Sequence, residues 1–239
     1  MKGGLKLLAV VSVLIIIILA GCSLTGQVIR TCETMEGLDR DECYTDSAVV
    51  NSDIGLCSKV NDRNINEECI ARVAIKQNNY RLCDQSPGSV NWCYAEIAIA
   101  TNNLLVCNRI SDQYWADICY KHIAEETANS APCELVQHQG DKDECFKNVA
   151  LASNDPEACV MISDNSKVDY CIWKVAVALG DPDVCEESKD MLHKNICYTK
   201  VAQAVHDAGI CERITIEVIK NSCISHIEEN LPEESPEEI

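Results

Sequence analysis

The sequence predicts an all-α fold, an α-solenoid of about eight disulfide-stapled αα-hairpins with a period of about 26 residues. Three observations predict it. Sixteen cysteines from Cys32 to Cys223 alternate between a fixed interval of 14 residues and a looser one of 10 to 12. After the second cysteine of each pair, apolar residues recur at 0, +1, +4 and +5, one stripe of a 3.6-residue period. Ten residues after that cysteine every unit but the last has Asp or Asn.

Residues 1–21 open with Lys2 and Lys6 and continue into an apolar run from Leu7 to Ala20, broken only by Ser12. That is the form of an export leader, and the run is shorter than a usual membrane-spanning helix. It ends in Leu19-Ala20-Gly21-Cys22. This stretch resembles the lipobox of prokaryotic lipoproteins, and the resemblance implies cleavage before Cys22 and lipidation of its sulfur. Residues 22–31 are then a short tether that holds the body close to a membrane.

The repeat domain spans 32–229. Its long helix is read from Val73, Ile97, Ile123, Val149, Val175, Val201 and Ile227 at +4, and from Ala48, Ala74, Ala98, Ala124, Ala150, Ala176 and Ala202 at +5. Asp53, Asn79, Asn103, Asn129, Asp155, Asp181 and Asp207 follow at +10. Short carboxylate or amide side chains accept bonds from the free N–H groups of a new helix, so each is an N-cap. Pro156 and Pro182 come next, where a missing N–H costs nothing. A short second helix therefore runs just past the next cysteine.

The staples are expected across the shorter interval. The turn between Cys57 and Cys69 lies midway between them, so an antiparallel hairpin brings the two sulfurs level. The same choice pairs all sixteen cysteines after Cys22. The first four pairs are Cys32–Cys43, Cys57–Cys69, Cys83–Cys93 and Cys107–Cys119. The other four are Cys133–Cys145, Cys159–Cys171, Cys185–Cys197 and Cys211–Cys223. That leaves Cys22 as the odd one, available for lipid. Each bridge closing a loop of about a dozen residues contributes on the order of 3 kcal/mol in the chain-entropy account. A chain with one Phe and three Trp has reason to use them. So many paired cysteines imply an exported protein, at a cell surface or in a periplasm.

The end units are atypical, with Ser47 for the β-branched residue in the first and Glu228 for the alanine in the eighth, as expected where a stack ends. Residues 230–239, which include LPEESPEEI, are acidic and proline-bearing and read as a disordered tail. In general plan the body resembles Sel1- and tetratricopeptide-type helical repeats. That resemblance implies scaffolding through a stacked surface and carries no functional residues with it.

The net charge is −18 and becomes more negative when Lys2 and Lys6 leave with the leader. Such a chain repels nucleic acid, so the expected partners are a membrane, through Cys22, and another protein. One column runs against the balance: Arg72, Lys121, His122, Lys147, Lys174, Lys200 and His226, at +2 or +3. It reads first as a solvated face with intrahelical pairs Glu68–Arg72, Asp117–Lys121 and Asp143–Lys147; Lys174, Lys200 and His226 lack such partners, and the alternative is a stripe that docks an acidic partner.

Chemistry is weakly signalled. There is no CxxC or CxxCH, no HExxH among His122, His138, His193, His206 and His226, no GxSxG and no phosphate-binding glycine loop. No metal, cofactor or enzyme activity is expected. Asp62, Asp112, Asp164 and Asp190, five residues after their first cysteines, are either helix caps or the makings of calcium sites. The functional expectation is an exported, lipid-anchored scaffold for protein–protein interaction. The alternatives are an envelope protein with no specific partner and a calcium- or ligand-binding surface protein.

Overall fold

The computed structural model describes residues 31–229; Cys22, the leader, most of the tether and the tail lie outside the described residues. Among the described residues every regular element is helical. Long and short helices alternate: α1 Gly37–Asn51, α2 Ile54–Lys59, α3 Arg63–Gln77, α4 Tyr80–Gln85, α5 Val90–Ala100, α6 Leu104–Cys107, α7 Gln113–Thr127 and α8 Ala131–Leu135. The series continues with α9 Gln139–Ser153, α10 Pro156–Val160, α11 Asn165–Leu179, α12 Pro182–Glu187, α13 Met191–Val205, α14 Ala208–Cys211 and α15 Glu217–Glu229. The odd-numbered helices are the long ones. The chain forms two units, one ending at Ala116 and the other starting at Asp117. Within each, successive long helices pack side by side, with α1 on α3 and α3 on α5 in the first, and α9, α11, α13 and α15 in series in the second.

The rigid interval of 14 has a local cause. Each long helix before the last ends on a left-handed residue nine positions after its cysteine: Ser52, Asn78, Asn102, Ala128, Asn154, Gly180 and His206, at φ between +48° and +64°. The N–H of the next residue then returns to the carbonyl of the +5 alanine at 2.8–3.1 Å, a Schellman closure. That next residue is the +10 Asp or Asn, and its side chain accepts an N–H two residues on, at 2.8–3.2 Å. One helix's stop is thus welded to the next helix's start, leaving no room for an insertion. Gly180 suits this place on two counts. Its φ is left-handed, and a Cβ there would sit 3.1 Å from Val205.

The bridges lie across the shorter interval. In the first unit they join Cys32 to Cys43, Cys57 to Cys69 and Cys83 to Cys93, with Cα separations of 5.5–5.7 Å. In the second they join Cys133 to Cys145, Cys159 to Cys171, Cys185 to Cys197 and Cys211 to Cys223, at 5.6–5.9 Å. Cys107 and Cys119 are disulfide-bonded too. The sulfurs join the +4 and +5 residues in a thin core: Val149, Ala150, Val175, Ala176, Val201 and Ala202 are all fully or nearly fully buried. Stapled sulfur of this kind persists in an oxidising, extracytoplasmic compartment. No helix among the described residues is long and apolar enough to cross a membrane.

Candidate interaction surface

Neighbouring repeats are held in register by a column of polar residues that sequence reasoning missed. It lies two residues before each second cysteine: Asp41, Glu67, Asn91, Asp117, Asp143, Asp169, Asn195 and Asn221. Asp41, Asp117, Asp143, Asp169 and Asn195 are more than nine-tenths buried, which such groups tolerate only when hydrogen-bonded. Their partners lie about twenty residues ahead, in the loop of the following repeat. Asp41 accepts the N–H groups of Asn61 and Asp62 at 3.0 and 2.7 Å, and Asp117 those of Gln137 and His138, both at 2.9 Å. Asn91 and Asn195 accept from Ser111 and Thr215 at 2.9 and 2.8 Å. Asp169 departs, accepting the Ser188 hydroxyl and lying 3.3 Å from Nδ1 of His193. Glu67 is a methylene longer, and its carboxylate occupies the space a Cβ on Gly88 would need. The signal was legible as a strict column of Asp, Asn or Glu, but only packing says what it holds.

Asp143 shows the electrostatics. Burial alone pushes its carboxyl up. Bonds from the Ser163 and Asp164 backbones, the Gln139 amide and the Ser163 hydroxyl outweigh that and leave it below the ordinary carboxylate range.

Asp62, Asp112, Asp164 and Asp190 are N-caps of the following long helices. Their carboxylates accept N–H groups from Asn64 and Ile65, Trp115, Ser166 and His193. Among the described residues no cluster of three or more His, Cys, Asp or Glu is placed to hold a metal ion.

The basic column is heterogeneous. Arg72 bonds Asp46 of the preceding long helix at 2.9 Å and approaches Glu68 at 3.7 Å. Lys147 pairs with Glu144 at 2.7 Å, not with Asp143 as the four-residue spacing suggested, because the Asp143 carboxylate is turned inward to the next loop. Lys121 and His122 lie on α7, His122 exposed, and His226 is exposed on α15. Lys174 stacks over the Trp173 ring, 4.6 Å from its centroid, with Tyr170 edge-on to Trp173. Lys200 is exposed and, among the described residues, has no hydrogen-bond or ion-pair partner.

A second feature is the loop edge. Open clefts of about 370 Å³ lie between the loops of consecutive repeats, one beside Arg63, Asn66 and Pro87, another beside Lys194, Tyr198 and Arg213. They occupy equivalent places beside the second and the seventh hairpin but differ in chemistry. In the later one, Glu186 is bonded by the Tyr198 hydroxyl, Lys194 and Arg213, which together pull its carboxyl down to about 2. Burial first, then the bond to Glu186, pushes Tyr198 up to about 12. Charges so fully matched to one another brace the repeat.

The fold defines a class: a disulfide-stapled αα-repeat protein. No known protein family, curated protein or solved structure matches this chain.

Proposed function

We propose that this protein is an exported, lipid-anchored scaffold that binds another protein through the exposed face of its long helices. The observation that carries the reading is where the acids are missing. Helix α13 contains no Asp or Glu, and α11 contains only Asp169, which is buried in its bond to Ser188. Both helices belong to a chain of net charge −18. Their shared outer face therefore offers cations and apolar side chains in a chain that is acidic as a whole. Exposed apolar groups set among cations are a recognition surface. Anchoring rests on the leader and on the Leu19-Ala20-Gly21-Cys22 sequence, which supply the membrane attachment that the acidic body does not.

Expression of the full chain with an alkyne-tagged fatty acid, followed by photocrosslinking from position 200, tests both parts. The tag is expected on the wild type and lost in Cys22→Ser, and one defined protein adduct is expected. An unlabelled chain would remove the anchor. Adducts distributed over bulk envelope proteins would favour a passive structural role instead.

A further inference from the structure

The register of the long helices turns two lysines into a site. In the first unit, Asp46 on α1 and Arg72 on α3 stand at the same position of successive repeats, three residues after their second cysteines. They meet as an ion pair of 2.9 Å. Lys76, one turn on, donates to the carbonyls of Val49 and Val50 at 2.6 and 2.8 Å, so this column of one helix lies against the same column of the next. On α11 and α13, packed together in the second unit, that position is Lys174 in one and Lys200 in the other. Where the first pair is acid and base, here both are bases. Two like charges at such a site repel, and α13 has no carboxylate to separate them.

The surroundings state what would fit. Trp173 forms a ledge beneath Lys174, and Tyr170, 45 % exposed, extends it. Leu179 and Val205, at the far ends of the two helices, are 47 and 42 % exposed, and Ala178 and Ala204 offer no side chain that would block approach. We propose that this face docks an acidic amphipathic segment of a partner protein. One carboxylate of that segment pairs with Lys174 and Lys200 from outside, supplying the acid that Asp46 supplies to Arg72, and its apolar side lies on Trp173 and Tyr170. The proposal rests on the scaffold reading and specifies the partner's chemistry. An amphipathic helix laid on a helical face is a common recognition mode.

The test uses the intact, oxidised protein and two fluorescein-labelled amphipathic peptides of about 20 residues, one with Glu on its polar face and one with Lys. The Glu peptide is expected to bind, to weaken with salt, and to lose about tenfold in affinity to K174D or K200D. The Lys peptide is expected not to bind. Lys174→Asp recreates the Asp46–Arg72 arrangement with Lys200, so the fold is expected to hold while binding falls; circular dichroism and melting check this. Arg81→Asp, exposed on α4 in the other unit and outside the basic column, should leave peptide affinity unchanged. The proposal is overturned if both peptides bind alike, if K174D and K200D bind the Glu peptide as the wild type does, or if phosphatidylglycerol vesicles bind in its stead with the same lysine dependence. A crosslinked surface partner retained by K174D/K200D would remove this site and leave the scaffold reading standing.

Discussion

Asp143 Oδ1 lies 3.0 Å from the backbone nitrogen of Ser163, and the same carboxylate receives Asp164 N–H through Oδ2 at 3.3 Å. A side chain on one long helix thereby fixes the entry of the next. The bond joins repeats that no disulfide joins, since Cys133–Cys145 and Cys159–Cys171 each lie within their own hairpin. Covalent staples set each hairpin, and buried carboxylates set how hairpins stack.

Removing that acceptor strands two backbone donors, and takes a partner from the Gln139 amide and the Ser163 hydroxyl, in a site where Asp143 is only 3 % exposed. Asp143→Ala should cost about 3 kcal/mol, and Asp143→Asn, which keeps one acceptor oxygen, about half as much. Urea unfolding of the oxidised protein measures both. Equal stability of the two variants would show that the charge, and not the acceptor count, is what matters.

Ala128 occupies the left-handed stop of α7 at φ +49°, where the equivalent residue of α11 is Gly180. An L side chain in that region costs roughly 1 kcal/mol, and the position lies beyond the helix, where glycine carries little penalty. Ala128→Gly should therefore raise the melting temperature by a few degrees. Gly180→Ala should lower it by more, because the new Cβ also meets Val205 at 3.1 Å.

The pH dependence has a definite sign. Tyr198, then Lys194 and Arg213, hold the Glu186 carboxyl at about 2, below its ordinary 4.5. A depressed carboxylate contributes stability that is fully present above the unfolded value and is lost as pH falls through the folded one. The loss attributable to Glu186 should fall between about pH 4.5 and 2, as should part of that from Asp143, which is shifted the same way. Glu186→Gln should flatten acid unfolding across that window. A steeper transition in the variant would contradict the assignment.

Each bridge closes a loop of 10 to 12 residues. Replacing Cys159 and Cys171 together by alanine should cost about 3 kcal/mol. Hydrogen exchange should localise the loss to α10 and α11, because repeats communicate chiefly with their neighbours. Loss of protection spread evenly over both units would show that the bridges act on the whole chain at once.

The helical period, the N-caps and the hairpin staples were legible because each is a short-range matter. A stripe at +4 and +5, an Asp at +10 and two cysteines about a dozen residues apart, such as Cys185 and Cys197, act within a single hairpin. The capping role of Asp62 and Asp164 was legible for the same reason. The inward carboxylates were written just as regularly at 41, 117, 143 and 169, yet an acid in a helix of an acidic chain reads as solvated surface. Lys147 shows the cost of that reading. Its expected partner Asp143 faces the next repeat, and Glu144 takes the ion pair.

What the amino-acid order settled unaided is the content of one repeat: two helices, their N-caps and their bridge, all governed by contacts within about a dozen residues. What tertiary packing alone decided is the relation between repeats, in which Asp143 meets Ser163 twenty residues on and Arg72 meets Asp46 twenty-six residues back. Those partners depend on the angle and offset at which one long helix lies against the next. No local propensity encodes them.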